Sequence, residues 1–301
     1  MLRRPYAEIS EPRPCSGAET LGRAPARPEL PLEWTAMWRG VVAAALGVAL
    51  TLGGVWFAVP HQRSGDGTPY GEVATLTEPL KAGDCVHANW EGTSFTSELG
   101  LEVVQCLSGQ TSGQVMAMVE AGTAAEAQLT GPKRCEQRTE GTRAKLADVR
   151  SYAVVPTWKG FEAAGRRTAC LLLGARGEVL YGPLGDYRRL GMVFTDTATM
   201  QKGDCLDGVS AESVKLVSCN GPHDEQVLDF FRMSPDTTLA QARNQANEAC
   251  AKNVPPKAYA YDPKLYKAAS WVGQGAWSSG THIVVCTAIR QDGDVMQRGE
   301  P

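Results

Sequence analysis

KAGDC at residues 81–85 is written again as QKGDC at residues 201–205. Gly-Asp-Cys is a short phrase of common residues, so its weight depends on what surrounds it. A large apolar residue stands five positions before each cysteine, Leu80 and Met200, and another directly after it, Val86 and Leu206. A second cysteine closes a similar phrase in each place, LEVVQC at 101–106 and VKLVSC at 214–219. A third sits in a polar, helix-like stretch, GPKRCEQR around Cys135 and ANEACAKN around Cys250. A fourth closes a strand-like run, RRTAC at Cys170 and HIVVC at Cys286. Seven residues later come Gly177 and Gly293, each followed by an acid and a valine. The second and third cysteines are 29 and 31 residues apart, the third and fourth 35 and 36. Four cysteines in matched order with matched neighbours mark a tandem repeat of roughly 100 residues, the size of a small domain.

The cysteines also point to a compartment. Eight of the nine form the two quartets, and Cys15 lies alone near the N-terminus. None stands in a Cys-x-x-Cys pair, so neither a zinc ribbon nor a thioredoxin-like redox site is indicated. Long spacings in even number suit structural disulfides of an oxidising compartment; buried reduced cysteine is the alternative. Four cysteines allow three pairings per copy. The copies differ most between the first and second cysteine, 21 residues against 14, and the extra residues lie in the polar stretch VHANWEGTSFTSELG. A hairpin absorbs an insertion at its tip, because its strand ends stay in place. Cys85–Cys106 and Cys205–Cys219 are therefore expected to bridge neighbouring strands. That leaves Cys135–Cys170 and Cys250–Cys286 to tie a helix to a late strand.

An export signal agrees with disulfides. GVVAAALGVALTLGGVWFAV, residues 40–59, has twenty residues and no charge, the length that spans a bilayer. Trp38 and Trp56 stand near its ends, where interfacial aromatics belong. Arg3, Arg4, Arg13, Arg23, Arg27 and Arg39 precede it, and only Arg63 falls in the twenty residues after it. That bias places the N-terminus in the cytoplasm and the rest outside. A cleaved signal peptide is the competing reading, against which stand the long leading segment and the lack of an A-x-A site; Met37 is an alternative start. Ala43, Gly47 and Thr51 recur every four residues and offer a small-residue contact for a homodimer through the span, although a plain anchor has the same composition.

The expected organisation is a disordered cytoplasmic arm over 1–38, a transmembrane helix over 39–60, a polar stalk over 61–78, and extracellular repeats over 79–189 and 198–297. The arm is rich in Pro, Arg and Glu and poor in apolar residues. Each repeat reads as α+β. LEVVQC and QVMAMVE, then VKLVSC and EQVLDFF, have strand length and pattern. In SPDTTLAQARNQANEACAKN, Leu239, Ala242, Ala246 and Cys250 recur at helical spacing, Thr237 or Thr238 can cap, and Pro255 and Pro256 follow. In the first repeat Gly131 and Pro132 interrupt the pattern, so the helix is expected to start near Pro132. SYAVVPT, TACLLLG, KAASWV and HIVVCTA supply further strands. The result is a mostly antiparallel sheet with one helix packed on it, built twice, behind a single transmembrane helix.

GDC, then V-x-C, then CNGPHDEQV at 219–227, then A-x-x-x-C on a helix, then Trp and Gly before a last cysteine resembles the septum-formation domain of actinobacterial membrane proteins. Pro222, His223 and Val227 match its Pro-His…Val phrase. CLSGQTSGQV at 106–115 lacks Pro-His, so the first copy departs from it. The resemblance spans about residues 80–295 and implies a link to division or envelope growth, without a mechanism or catalytic residues.

The remaining chemistry is sparse. Of four histidines, His223 stands with Asp224 and Glu225 in the densest polar cluster. It is a candidate ligand or general-base site, or a loop histidine bonded locally. No cofactor or metal is implied, because disulfides would consume the cysteines. Asp84 and Asp204, next to glycine and ahead of a strand, are expected to accept backbone N–H bonds in a turn. Trp158, Trp271 and Trp277 are candidates for a surface that recognises glycan or an envelope protein, with core packing the competing use for at least two. Setting aside the six arginines and five glutamates before residue 61, the chain holds 24 basic and 28 acidic residues. They are interspersed with no basic stripe, which excludes nucleic acid as a partner. The expected function is non-enzymatic: a membrane-anchored scaffold or binding module outside the cell, linked to septum formation or envelope growth. A single-pass sensor signalling to the arm is the alternative.

Overall fold

Both Gly-Asp-Cys phrases fold into one kind of turn. In the computed structural model, which describes residues 68–71, 76–194, 196–210 and 212–301, Asp84 Oδ2 accepts the Lys81 N–H at 2.8 Å and Asp204 Oδ2 accepts the Gln201 N–H at 2.7 Å. Gly83 and Gly203 then donate to Val115 O and Val227 O, each at 2.8 Å. Their φ angles of +97° and +86° lie in the left-handed region, where glycine alone is unstrained. The phrase recurs because this turn launches the first stapled strand of each half.

The strands of the first half are β1 (Cys85–Trp90), β2 (Leu99–Val104), β3 (Gly113–Glu120), β4 (Val149–Val154) and β5 (Arg167–Gly174). A short β6 (Val193–Phe194) precedes those of the second half: β7 (Cys205–Ser210), β8 (Ser213–Val217), β9 (Glu225–Arg232), β10 (Tyr266–Trp271) and β11 (Ile283–Arg290). The sheets run β2-β1-β3-β5-β4 and β10-β11-β9-β7-β8-β6, with antiparallel pairing throughout. Taking β7 to β11 as counterparts of β1 to β5, the second order contains the first, with β6 added outside β8. All described residues belong to one compact unit, Arg63–Pro301.

Central strands explain the continuous apolar runs. In β5, Ala169, Leu171 and Leu173 enter one core with Val86 and Val115. Cys170 faces the other way, with Val119 and Cys135 under the helix. Both faces are covered, so the run cannot alternate with polar residues.

The helix of the first half, α1 (Ala124–Arg143), begins eight residues before the expected start at Pro132. Thr123 Oγ1 accepts the Glu126 N–H at 3.1 Å, and Glu126 Oε2 accepts the Gly122 N–H at 2.7 Å. Thr-x-x-Glu is a helix-start phrase, and the Gly-Pro pair obscured it. Pro132 stands inside the helix, giving up one backbone hydrogen bond. Gly131 is there because the helix lies tight on the sheet: a Cβ at this position would come 2.8 Å from Thr168 Oγ1. The second helix, α2 (Leu239–Asn253), opens on Thr238 with a full capping box to Gln241 and buries Ala242, Ala246 and Cys250. Two short helices follow, α3 (Pro256–Tyr259) and α4 (Gln274–Ser278).

Four disulfides staple the sheets. Cys85–Cys106 and Cys205–Cys219 join the first strand of each hairpin to the turn just after the second, with Cα atoms 5.1 and 5.3 Å apart. Cys135–Cys170 and Cys250–Cys286 join helix to sheet, at 4.8 and 5.3 Å. The four helix–sheet cysteines are wholly buried, whereas Cys106 and Cys219 are half-buried. Access controls thiol–disulfide exchange. Mild reductant is therefore expected to open both hairpin bonds first, read as early alkylation of Cys106 and Cys219 by mass spectrometry. Earlier labelling of Cys135 or Cys250 would contradict this burial order.

The expected stalk over 61–78 needs correction at its end. Tyr70 and Leu76 are buried in the first core. Tyr70 Oη accepts the Leu80 N–H at 3.2 Å, and Thr157 N–H bonds Pro69 O at 3.2 Å. Tyr70 and Leu76 thus belong to the first core, although the average polarity around them suggested a linker. The expected arm with Cys15, the span over 39–60 and the contact of Ala43, Gly47 and Thr51 lie outside the described residues. Among the described residues no helix is long and apolar enough to cross a membrane.

The halves touch. Arg176 Nη2 donates to Gly280 O at 2.8 Å, Lys202 N–H to Lys145 O at 2.9 Å, and Arg232 pairs with Asp148. Arg188 forms a two-pronged pair with Asp204, its Nη2 reaching Oδ1 at 2.8 Å.

Candidate functional site

The paired sheets allow each residue of one half to be set against its counterpart. The hairpin β7–β8 carries its tip toward the edge strand β10 and helix α2, leaving a groove of about 610 Å³ between them. Arg243 and Asn247, one helical turn apart on α2, form one wall, and Glu212 and Ser213 of the hairpin form the other. Ser270 and Trp271 of β10 line it from the sheet. Ser270 Oγ donates to Asn247 Oδ1 at 2.7 Å, and Arg243 stands 4.0 Å from Glu212.

In the first half the same place is occupied. The seven extra residues of the β1–β2 hairpin bring in Phe95, which packs with Trp90 at 4.9 Å and with Tyr152 of β4 at 6.1 Å between centroids. The Arg150 guanidinium lies 4.7 Å above the Phe95 ring. What remains is about 250 Å³, lined by Pro132 and Ala153, the counterparts of Asn247 and Ser270 when counted from the helix cysteine and from the partner of the fourth cysteine.

Beneath the groove the second half replaces apolar core with a polar group. Gly113 and Glu225 hold matching places, opposite Val86 and Leu206. Leu171 and Thr287 each follow the fourth cysteine, and Val154 and Trp271 stand opposite the residue before it. Glu225 Oε2 accepts both Trp271 Nε1–H at 2.8 Å and Thr287 Oγ1–H at 2.7 Å. Burial pushes the Glu225 carboxyl above its usual value near 4.5, and these two hydrogen bonds draw it part of the way back. A carboxyl raised in the folded state favours folding most below its unfolded value and loses that contribution as pH rises through the folded one. At neutral pH Glu225 therefore weighs against stability, a burden that glycine at the matching position of the first half does not impose.

His223 and Asp224 do not converge on one site. His223 is 1% exposed, and its Nδ1 lies 3.0 Å from Gly221 O. Its backbone pairs with Met296 in both directions, as Thr111 O accepts from Leu180 in the first half. Asp224 Oδ2 accepts the Gly208 N–H at 2.8 Å, the bond that Ser112 Oγ makes to Ala88 N–H at 3.1 Å. Asp224 fastens the hairpin, and His223 ties the turn ahead of β9 to the segment after β11. Trp158 is 67% exposed in the loop after β4, whereas Trp277 is buried, donates to Thr237 O at 3.1 Å and stacks on His282 at 4.4 Å. The two tryptophans form no common surface. Sequence reading named Glu225 only as a neighbour of His223 and passed over Thr287, Arg243 and Asn247; the signal for Glu225 and Thr287 was a polar residue at strand positions that are glycine or apolar in the other half. Among the described residues no cluster of three or more His, Cys, Asp or Glu could hold a metal ion.

Compared with known protein families, residues 82–286 match the family described as Septum formation. No curated protein and no solved structure matches the chain. The family match is one stretch, running from the first Gly-Asp-Cys turn to the fourth cysteine of the second sheet. With about two thirds of its residues inside that match, the chain belongs to the septum-formation family.

Proposed function

We propose that this chain is a single-pass envelope protein whose two stapled sheets lie outside the cytoplasm and act by binding, as a scaffold or recognition module in division or envelope growth. The observation that carries the reading is the set of four disulfides, each with at least one buried cysteine and all between elements of one fold. Such bonds persist in oxidising compartments. The uncharged stretch 40–59 and the arginines ahead of it support an anchor with the N-terminus inside. The groove presents hydrogen-bonding side chains and an indole ring, the chemistry of recognition. An epitope placed after Pro301 is expected to be reached by antibody on intact protoplasts, and one before Met1 only after permeabilisation. Reversed labelling would overturn the topology.

A further inference from the structure

We infer that the groove of the second half binds a short oligosaccharide, with Trp271 as the stacking surface. The inference rests on the binding-module reading and names its ligand class. Comparison of the halves carries it. The first half shows that the fold closes with Gly113, Leu171 and Val154 and with aromatic side chains filling the groove. The second half instead places a half-buried carboxyl there, and that carboxyl holds the indole N–H of a tryptophan lining an open groove. A half-buried acid whose hydrogen bond fixes one ring is what a preorganised site requires. Natural proteins depart from locally stable choices at sites of function.

The lining selects the class. At about 610 Å³ the groove lies within the usual range of small-molecule sites. A sugar ring has an apolar face that stacks on indole and a rim of hydroxyls that donate and accept. Asn247, Ser270 and Ser213 offer both donors and acceptors around that ring. Arg243 faces Glu212, so the groove carries no unopposed charge. That disfavours a phosphorylated or acidic ligand and suits a neutral, hydroxyl-bearing one. Glu225 is a positioning residue here, acting through Trp271.

The test titrates the full chain, kept in a detergent without sugar headgroups, with two probes: the β-1,4-linked tetramers of N-acetylglucosamine and of glucose. Calorimetry should show one site per chain for at least one tetramer. Trp271→Ala should weaken it tenfold or more. Asn247 is exposed, so Asn247→Trp should fill the groove without disturbing the core and abolish binding, while Trp158→Ala leaves it unchanged. Absence of binding by both tetramers at millimolar concentration would overturn the inference. So would binding that survives Asn247→Trp, or that Trp158→Ala removes. The epitope test of topology reads a different quantity, so the two ideas can fail separately.

Discussion

Replacing Cys250 and Cys286 together by alanine is expected to lower stability by about 4 kcal/mol, because the bond closes a loop of 36 residues and a loop of that length restricts the unfolded chain by about this amount. Both sulfurs are wholly buried among Ala246, Val254 and Val284, so their removal adds a small cavity. The corresponding pair Cys205–Cys219 closes only 14 residues, for about 3 kcal/mol, and Cys219 is half-buried. Its removal should cost less. A folded domain has about 5–15 kcal/mol in all, so the helix–sheet variant stands near the edge of folding. Urea titration checks this through the midpoint, and a loss under about 1 kcal/mol would refute the chain-restriction argument. The consequence reaches the groove: α2 carries Arg243 and Asn247, and without its staple that wall is the first to loosen. Saccharide binding is expected to fade at urea concentrations where the first sheet is still intact.

What was legible in the sequence follows from locality. Strand periodicity, caps and turns depend on neighbours along the chain, so the α+β reading, the Asp84 and Asp204 turns and the Thr238 cap could be taken from short phrases. The disulfide pairs were legible for a different reason: two versions of one pattern differ by an insertion, and only a hairpin tip tolerates it. Local reasoning failed at Gly131-Pro132, where a breaking pair is tolerated because the helix presses against Thr168, 37 residues on. It failed at Tyr70 and Leu76, whose partners lie across the first core. The groove was illegible for the same reason. Trp271 and Thr287 lie 46 and 62 residues along the chain from the Glu225 carboxyl they share, and only the strand order brings them together. The family resemblance drew attention to His223, yet two residues on stands Glu225, whose counterpart in the other half is a glycine.

Asp204→Ala is expected to cost about 3–5 kcal/mol, several times the effect of Asp84→Ala, although the two aspartates occupy the same turn. Each accepts the N–H three residues earlier, a contribution of about 1 kcal/mol. Asp204 does a second thing. Arg188, from the segment after the first sheet, forms a two-pronged pair with it, and the side chains are only 9% and 8% exposed. Arg188 also donates to Gly185 O at 3.2 Å and Thr199 O at 3.3 Å, so the guanidinium is held in place and cannot swing to water when its partner goes. An unpaired buried charge is the source of the large penalty. Two further variants separate the terms. Asp204→Asn keeps an acceptor for the Gln201 N–H and loses the charge, so it should fall between the other two. Removing both charges, with Arg188→Met and Asp204→Asn, should recover much of the loss, because replacing a buried ion pair is often neutral where breaking one is not. The coupling measured by this cycle should reach about 1–3 kcal/mol. Equal losses for Asp84→Ala and Asp204→Ala would show that the pair contributes nothing, and that the two halves are joined by the backbone contacts and the Arg232–Asp148 pair instead.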